Sequence, residues 1–268
     1  MIDRPGEERA TATATAERVA PGIIAMGPPD APAIVFLHGT RLSRAAWTPQ
    51  LETLSDEFRT IAIDLPGHGD RASERFELAG AVELVAAAIR DQAADERAVV
   101  VGLSLGGYVA MALAGEQPAL VRGLVVAGAS AEPIGLRLLP YRALTVLLTR
   151  FDGPRLDGLN ARFFRMSYPP AIADPIVAGG FWSAGGAEAV RALFNQRFMP
   201  RLAAYPGPSL ILNGELDLLF RWSAGRFAAT AAHGRRVRLA GARHLSNLDR
   251  PAAFSLAVRD FARSVEPA

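Results

Sequence analysis

Short apolar runs recur along the chain, and each gives way to a polar or Gly-rich stretch. Most runs show little polar alternation, which is typical of parallel strands buried on both faces. A weaker pair of edge strands is predicted over Glu17–Met26, broken at Pro21 and Gly22. The other predicted strands are Ala33–Leu37, Thr60–Asp64, 97–103, Gly123–Gly128, Pro208–Asn213 and Arg236–Ala240.

The segments between these runs place apolar residues at the spacing of a helix. The clearest, over 78–94, has Val82, Val85, Ala86 and Ile89 on one face. The alternation of strand and helix predicts an α/β fold, with a mostly parallel sheet and helices on both of its faces. Further helices are predicted over 44–55 with Ser43 as N-cap, over 108–114 with its end before Pro118, and over 251–264.

The alternation stops between residues 131 and 205. No strand-like run occurs there, and the segment is rich in Leu, Phe, Arg and Pro. It predicts several helices instead. We therefore expect a core in two parts, residues 1–130 and 206–268, interrupted by an inserted helical cap over 131–205. The predicted helices of the cap cover roughly 134–150, 153–166 and 186–198.

Charge gives no sign of a nucleic-acid partner. The 268 residues carry 29 basic and 27 acidic side chains, a formal net charge of +2. Every basic residue is Arg, and these residues are spread along the chain. The one tight group, Arg235, Arg236 and Arg238, has no aromatic residues between its members. We interpret it as the solvated end of a strand and expect no nucleic acid to bind.

The absence of Cys excludes disulfides, thiol catalysis and Cys-ligated zinc, and no metal site is predicted. It agrees with a cytoplasmic protein. Met1 to Arg18 lacks the apolar core of a secretory signal peptide and is expected to form a loose tail. The uncharged run 98–115 is long enough to cross a bilayer. Its glycines and Ser104 favour a buried strand–turn–helix instead, so no membrane segment is expected.

A serine stands at the sharpest predicted turn of the chain. The pattern is Gly102-Leu103-Ser104-Leu105-Gly106, between a β-branched run and a helix. Gly at the flanking positions removes the Cβ atoms that would clash where chains come close together. The alternatives are an ordinary Gly-rich turn and a turn that exposes a nucleophilic serine hydroxyl.

A nucleophilic serine needs a base, and the base needs an orienting carboxylate. His244 lies in a loop just past the last predicted strand, and Asp217 lies after the penultimate one. Ser104, Asp217 and His244 therefore come from three loops at the same edge of the sheet. Glu215 and the more remote Glu132 are the rival acids.

These motifs together resemble the α/β-hydrolase family in its capped form. The resemblance implies an eight-stranded sheet and the chain order nucleophile, acid, base. Of the four His residues, only His233 and His244 satisfy that order. His233 is predicted at the end of a helix, so the loop position favours His244. The matching stretches are Leu37-His38-Gly39-Thr40 with Trp47, Asp64-Leu65-Pro66-Gly67-His68-Gly69, Gly102 to Gly107, Gly214-Glu215-Leu216-Asp217, and Gly241 to His244 with Pro251.

The resemblance also implies an oxyanion hole formed by the backbone N–H groups of Thr40 and Leu105. Dehalogenases and epoxide hydrolases of this fold use Asp at the position of Ser104, so the serine argues against both. No cofactor is implied. His38 and His68 are expected to shape their loops without a catalytic role.

Candidate substrate-contacting residues lie beside the predicted catalytic residues and in the cap. Arg41 follows the oxyanion position and is a candidate to pair with a carboxylate, although a solvent-facing position is the favoured alternative. Leu218 adjoins the acid. In the cap, the candidates for an apolar acyl pocket are Leu139, Phe163, Tyr168 and Trp182.

The sequence thus predicts a serine hydrolase that cleaves a small or medium carboxylic ester through an acyl-enzyme. A lactonase or a carbon–carbon bond hydrolase of an aromatic-degradation pathway is the alternative within the class. A receptor-like or scaffold protein that binds a small ligand with little turnover is the alternative outside it. The expected partner is a small ester-like molecule, and the expected state is a monomer or homodimer.

Overall fold

The computed structural model describes residues 15–151 and 153–266. The predicted N-terminal tail, Met1 to Arg18, lies largely outside these residues. Glu17 and Arg18, its described end, already belong to the first strand.

Eight strands form one sheet in the order β1-β2-β4-β3-β5-β6-β7-β8. The pairs β1–β2 and β2–β4 are antiparallel, and every pair from β4 to β8 is parallel. The predicted fold class is therefore confirmed. The strands are β1 Glu17–Ala20, β2 Ile23–Met26, β3 Ala33–Leu37, β4 Arg59–Ile63, β5 Ala98–Leu103, β6 Val121–Ala127, β7 Pro208–Gly214 and β8 His233–Leu239.

Helices cover both faces of this sheet, as predicted. The α-helices of the described residues are α1 Thr48–Leu54, α2 Leu78–Gln92, α3 Leu105–Glu116, α4 Leu139–Arg150, α5 Pro154–Ser167, α6 Pro170–Ala178, α7 Ser183–Ala192, α8 Met199–Ala204, α9 Leu218–Arg221, α10 Ala224–Thr230, α11 Ser246–Asp249 and α12 Pro251–Val265.

The central strands divide their side chains between two cores, because successive residues of a strand point to opposite faces. Val35 and Leu37 of β3 pack in the core that contains α2 and α3. Ile34 and Phe36 pack on the opposite face, in the core that contains α1 and α12. Burial on both faces explains why these strands have continuous apolar sequences.

The helices α4 to α8 all fall between β6 and β7, where an insertion was predicted. A third apolar cluster joins α5 and α6 to the rest of the molecule. In it, Phe164 and Ile176 pack with Leu42, Ala46 and Leu248. The boundaries of a separate cap at residues 131 and 205 stay a prediction.

Several local predictions were wrong. The helix α6 was not predicted, because Pro169, Pro170 and Pro175 interrupt its pattern. Pro is tolerated at the first position of a helix, which is where Pro170 lies. His233 begins β8 rather than ending a helix. Ser43 does occupy the N-cap position of the helical turn that begins at Arg44, as predicted, although its side chain makes no capping hydrogen bond.

The uncharged run 98–115 is the strand β5 followed by α3, and both are buried. Within residues 15–151 and 153–266, every helix is too short or too polar to cross a membrane.

Candidate active site

Ser104 occupies a strained turn between β5 and α3. Its φ is 53° and its ψ is −114°, a conformation that residues with a Cβ rarely adopt. The flanking glycines permit this turn. A Cβ on Gly102 would lie 2.2 Å from the carbonyl oxygen of Gly106, and one on Gly106 would lie 2.1 Å from that of Leu37. The turn therefore sets the serine hydroxyl at the carboxyl edge of the sheet.

His244 and Asp217 reach the same edge from the loops after β8 and β7. The Nδ1 of His244 lies 2.9 Å from the Oδ2 of Asp217. An ionised carboxylate only accepts hydrogen bonds, so Nδ1 is the donor. In the neutral imidazole, Nε2 then carries the lone pair. Phe220 stacks on the imidazole at 5.0 Å between ring centroids. Asp217 is buried and His244 is partly exposed, which suits an orienting acid and a base that meets substrate.

The rival acids and the rival base lie elsewhere. Glu132 accepts the backbone N–H groups of Phe198 and Met199 at the start of α8. Glu215 accepts the N–H of Gly241 at 3.0 Å. His233 is exposed on β8. None of these three side chains lines the cavity that holds Ser104.

Thr40 and Leu105 both border Ser104 in this cavity. Leu105 is the first residue of α3, so its N–H has no acceptor within the helix. The next N–H, that of Gly106, donates to the carbonyl of His38. The Thr40 hydroxyl donates to the carbonyl of Gly186 at 3.2 Å, which fixes the loop after β3 against α7.

Two buried histidines hold that loop. The Nε2 of His38 accepts the N–H of Leu65 at 3.0 Å, and its Nδ1 donates to the carbonyl of Gly39. The Nε2 of His68 accepts the N–H of Arg41 at 3.3 Å. Burial lowers the pKa of His38 to about 4 and that of His68 to about 3. Both rings are therefore neutral bridges between the loops after β3 and β4.

The cavity around Ser104 has a volume of about 560 Å³ and a mostly apolar lining. Of the predicted substrate-contacting residues, Arg41 and Leu218 line it. Arg41 is partly buried and its Nε donates to the hydroxyl of Ser183 at 3.2 Å, so it does not simply face solvent. The lining also includes His244, Asp217, Tyr108, Tyr141, Leu144, Val190, Leu193, Leu216, Leu219 and Phe220.

Four predicted pocket residues do not line this cavity. Leu139 and Phe163 point outward and are 57% and 50% exposed. Tyr168 is buried, and its hydroxyl donates to Asp249 at 2.9 Å. Trp182 donates from its ring nitrogen to the carbonyl of Gly179. Aromatic character in the insertion thus marks packing more often than contact with the cavity.

Sequence reasoning missed the two tyrosines of the lining. Tyr108 lies four residues after Ser104 on α3, so the helical repeat places both on one face. The four-residue spacing from Ser104 was therefore enough to predict that Tyr108 lies near the serine. Tyr141 lies on α4, and the rotation of α4 about its axis cannot be obtained from its own sequence.

No group of three His, Asp or Glu side chains is arranged to hold a metal ion in the described part of the chain.

Comparison with known proteins gives consistent likenesses. A family model described as the alpha/beta hydrolase family matches residues 34–257. The 3-oxoadipate enol-lactonase 1 of Acinetobacter baylyi is 27% identical over 252 residues, 90% of this chain and 92% of that protein. A pimeloyl-acyl-carrier-protein methyl ester esterase of Edwardsiella ictaluri is 30% identical over 249 residues, 85% and 92% of the two chains. The crystal structure of the enol-lactonase from Burkholderia xenovorans is 25% identical with a TM-score of 0.68, covering 90% and 97%.

Proposed function

We propose that this chain, which belongs to the alpha/beta hydrolase family, is a serine hydrolase that cleaves small or medium carboxylic esters. The observation that carries the proposal is the hydrogen bond from His244 to Asp217 in the cavity that holds the strained Ser104. The bond leaves Nε2 of His244 as an acceptor. A nucleophile, a base and an orienting acid are then available in one place.

In the first half of the reaction, the hydroxyl oxygen of Ser104 attacks the ester carbonyl carbon. His244 takes the hydroxyl proton at Nε2, and the N–H groups of Thr40 and Leu105 stabilise the oxyanion. The bond from carbon to the alkoxy oxygen then breaks. His244 returns its proton to that oxygen, so an alcohol leaves and an acyl group stays on Ser104.

In the second half, His244 takes a proton from water while the water oxygen attacks the acyl carbon. Collapse of this second intermediate breaks the bond to Ser104, which recovers its proton from His244. A carboxylic acid leaves. Asp217 holds the imidazole in one tautomer throughout and stabilises its charged form.

The substrate size follows from the cavity. Its volume of about 560 Å³ and the Leu144, Leu193 and Leu219 side chains in its lining favour an acyl or alcohol group of modest polarity. The expected partner remains a small molecule. The cytoplasmic location and the monomeric or dimeric state remain predictions.

The test is covalent labelling with a serine-directed fluorophosphonate. We expect an adduct on Ser104 by peptide mass spectrometry and none on the S104A variant. Turnover of p-nitrophenyl butyrate should fall by at least about 10³-fold in S104A. A wild-type protein that neither labels at Ser104 nor turns over any ester would overturn the proposal. In that case, ligand-induced thermal stabilisation without turnover would support a receptor-like protein.

A lactonase is the second candidate, and the likeness to the enol-lactonases favours it. A lactone is a cyclic ester, so the same residues would open it and the leaving alcohol would stay attached to the acid. Rates measured on matched pairs of lactones and open-chain esters of equal carbon number distinguish a lactonase from an esterase. A ratio of kcat/KM above about tenfold in either direction assigns the class. Turnover of vinylogous diketones would instead indicate a carbon–carbon bond hydrolase.

A further inference from the structure

Two tyrosine hydroxyls meet inside the cavity that holds Ser104. The hydroxyls of Tyr108 and Tyr141 are hydrogen bonded to each other, and that of Tyr108 donates to the carbonyl of Ala131 at 2.6 Å. Tyr108 is 1% exposed and Tyr141 is 7% exposed, and both line the cavity. Most of the surrounding lining is apolar. A polar pair in such a wall contributes specificity when a ligand group reaches it.

Counting protons shows what the pair offers to a ligand. Each hydroxyl has one proton. In the first arrangement, Tyr108 donates its proton to the Ala131 carbonyl. Tyr141 then supplies the proton of the hydrogen bond between the two hydroxyls. In the second arrangement, the Tyr141 hydroxyl donates to the Ala131 carbonyl, 3.5 Å away, and the Tyr108 hydroxyl donates to that of Tyr141. Both arrangements use both protons within the protein, so a ligand acceptor can be served only if one of these bonds breaks, whereas oxygen lone pairs stay open to a ligand donor.

The surroundings keep the pair neutral. Burial, together with the nearby Glu132 and Asp217 carboxylates, raises the pKa of Tyr141 to about 12. Burial also raises the pKa of Tyr108 well above its ordinary value. Both hydroxyls therefore keep their protons at neutral pH.

We propose that the Tyr108–Tyr141 pair is an acceptor site that selects substrates carrying a neutral hydrogen-bond donor, with a hydroxyl as the simplest case. Tyr141, the more accessible of the two, supplies the accepting oxygen. Groups that only accept, such as an ether or a ketone, leave the pair unmatched. The inference rests on the proposed ester hydrolysis and specifies the substrate class: hydroxy-substituted esters rather than keto esters.

The experiment uses a series of methyl alkanoates that carry a hydroxyl at carbon 2, 3 or 4, each with its methoxy and unsubstituted counterparts. The readout is the ratio of kcat/KM for hydroxy against methoxy ester. At the carbon that faces Tyr141, we expect a ratio of about tenfold in the wild-type protein. The Y141F variant should bring that ratio close to one.

The matched control is Y108F. Without the Tyr108 hydroxyl, Tyr141 donates to the Ala131 carbonyl, which is already within 3.5 Å, and its oxygen still accepts. The hydroxy preference should therefore survive in Y108F and disappear in Y141F. A purely structural role predicts the same effect of both changes on the ratio. Ratios are compared within one preparation, so a partial loss of folded protein does not affect them.

Three results would overturn the inference: a wild-type ratio near one at every carbon, a Y141F variant that keeps the preference, or an equal loss of the preference in Y108F and Y141F. The S104A variant separates this outcome from failure of the proposed function. It is titrated by calorimetry with the hydroxy and methoxy esters, which needs no turnover. Tighter binding of a hydroxy ester, lost in S104A/Y141F, supports the acceptor site even if no ester is hydrolysed.

Discussion

Asp217 and Glu215 show at the scale of single residues how position decides a role. The two carboxylates lie two residues apart after β7, yet Asp217 meets the imidazole of His244 and Glu215 meets the N–H of Gly241. Asp217 is buried, whereas Glu215 is partly exposed. The same chemical group therefore contacts the imidazole in one case and holds a loop in the other.

The first prediction uses this pair. Asp217→Asn should lower kcat by about 10³- to 10⁴-fold, because an amide in place of the carboxylate favours the wrong tautomer of His244. Steady-state ester hydrolysis measures the loss, and circular dichroism checks the fold. Glu215→Gln is the control and should stay within about threefold of wild type. Equal losses in both variants would assign Asp217 a structural role.

The sequence predicted Ser104, Asp217 and His244 but not the cavity-lining residues of α4, and the difference has a physical reason. Ser104, Asp217 and His244 each follow a strand, and the ends of parallel strands meet at one edge. Leu139 and Tyr141 are two residues apart on one helix, yet one points outward and the other lines the cavity. That difference depends on how α4 packs against the core, which its own apolar pattern does not specify.

At the scale of elements, the turn between β5 and α3 depends on close backbone contact. The Cβ of an Ala at position 102 would lie 2.2 Å from a carbonyl oxygen, and the chain on both sides is buried. Gly80 in α2 is the opposite case, because nothing lies within 4 Å of the added atom. Glycine is needed at the first position and only tolerated at the second.

The second prediction compares these two sites. Gly102→Ala should lower the free energy of unfolding by more than about 3 kcal/mol or prevent folding. Gly80→Ala should raise it by about 0.5–1 kcal/mol, because Ala restricts the unfolded chain and favours a helix. Urea denaturation followed by circular dichroism measures both. A mild effect of Gly102→Ala would contradict the close approach at the turn.

The loop that carries His244 is tied to α11 by Asp249. The Oδ2 of Asp249 accepts the backbone N–H of Arg243 at 2.7 Å. Its Oδ1 accepts from Tyr168 at 2.9 Å and from the guanidinium of Arg243 at 2.8 Å. One carboxylate therefore joins the insertion to the residue beside the base.

The third prediction follows from that link. Asp249→Ala should lower kcat by up to about 100-fold with a smaller change in KM, because a displaced imidazole loses its alignment with the nucleophile. Asp56→Ala, which breaks the exposed pair with Arg259, should stay within about twofold. A rise in KM with unchanged kcat would show that the link acts on substrate binding instead.

Element boundaries were predicted where the apolar pattern is strong, as in β3 and β5. The predictions were wrong where prolines or exposed polar residues interrupt the apolar pattern. Three prolines obscure α6, and the first residues of β8 are exposed and charged, so neither resembles a buried element. In both segments, tertiary contacts decide a structure that the local sequence does not favour.

At the scale of the whole molecule, His38 and His68 couple stability to pH. Both rings are buried and neutral, with a pKa of about 4 and about 3 in the folded protein. The ordinary value of 6.5 applies when the chain unfolds. Between the folded and unfolded pKa values, the unfolded chain therefore binds more protons than the folded protein. The free energy of unfolding that the two neutral rings contribute above pH 6.5 is lost as the pH falls.

The fourth prediction is a fall in the free energy of unfolding from pH 6.5 to about pH 4, on the order of a few kcal/mol for each histidine. Urea denaturation at a series of pH values measures it. His38→Gln should reduce the slope in this range even if it lowers stability at pH 7. A slope that does not change in the variant would assign the acid sensitivity to other groups.

The strand β8 lies at one edge of the sheet, with Arg235, Arg236 and Arg238 exposed along it. An uncovered edge is a template on which another copy of the chain can extend the sheet. Here two copies that met edge to edge would bring six guanidinium groups together. We expect the resulting electrostatic repulsion to oppose such pairing. Aggregation should then speed up in high salt or when the three positions are changed to Thr, as light scattering would show.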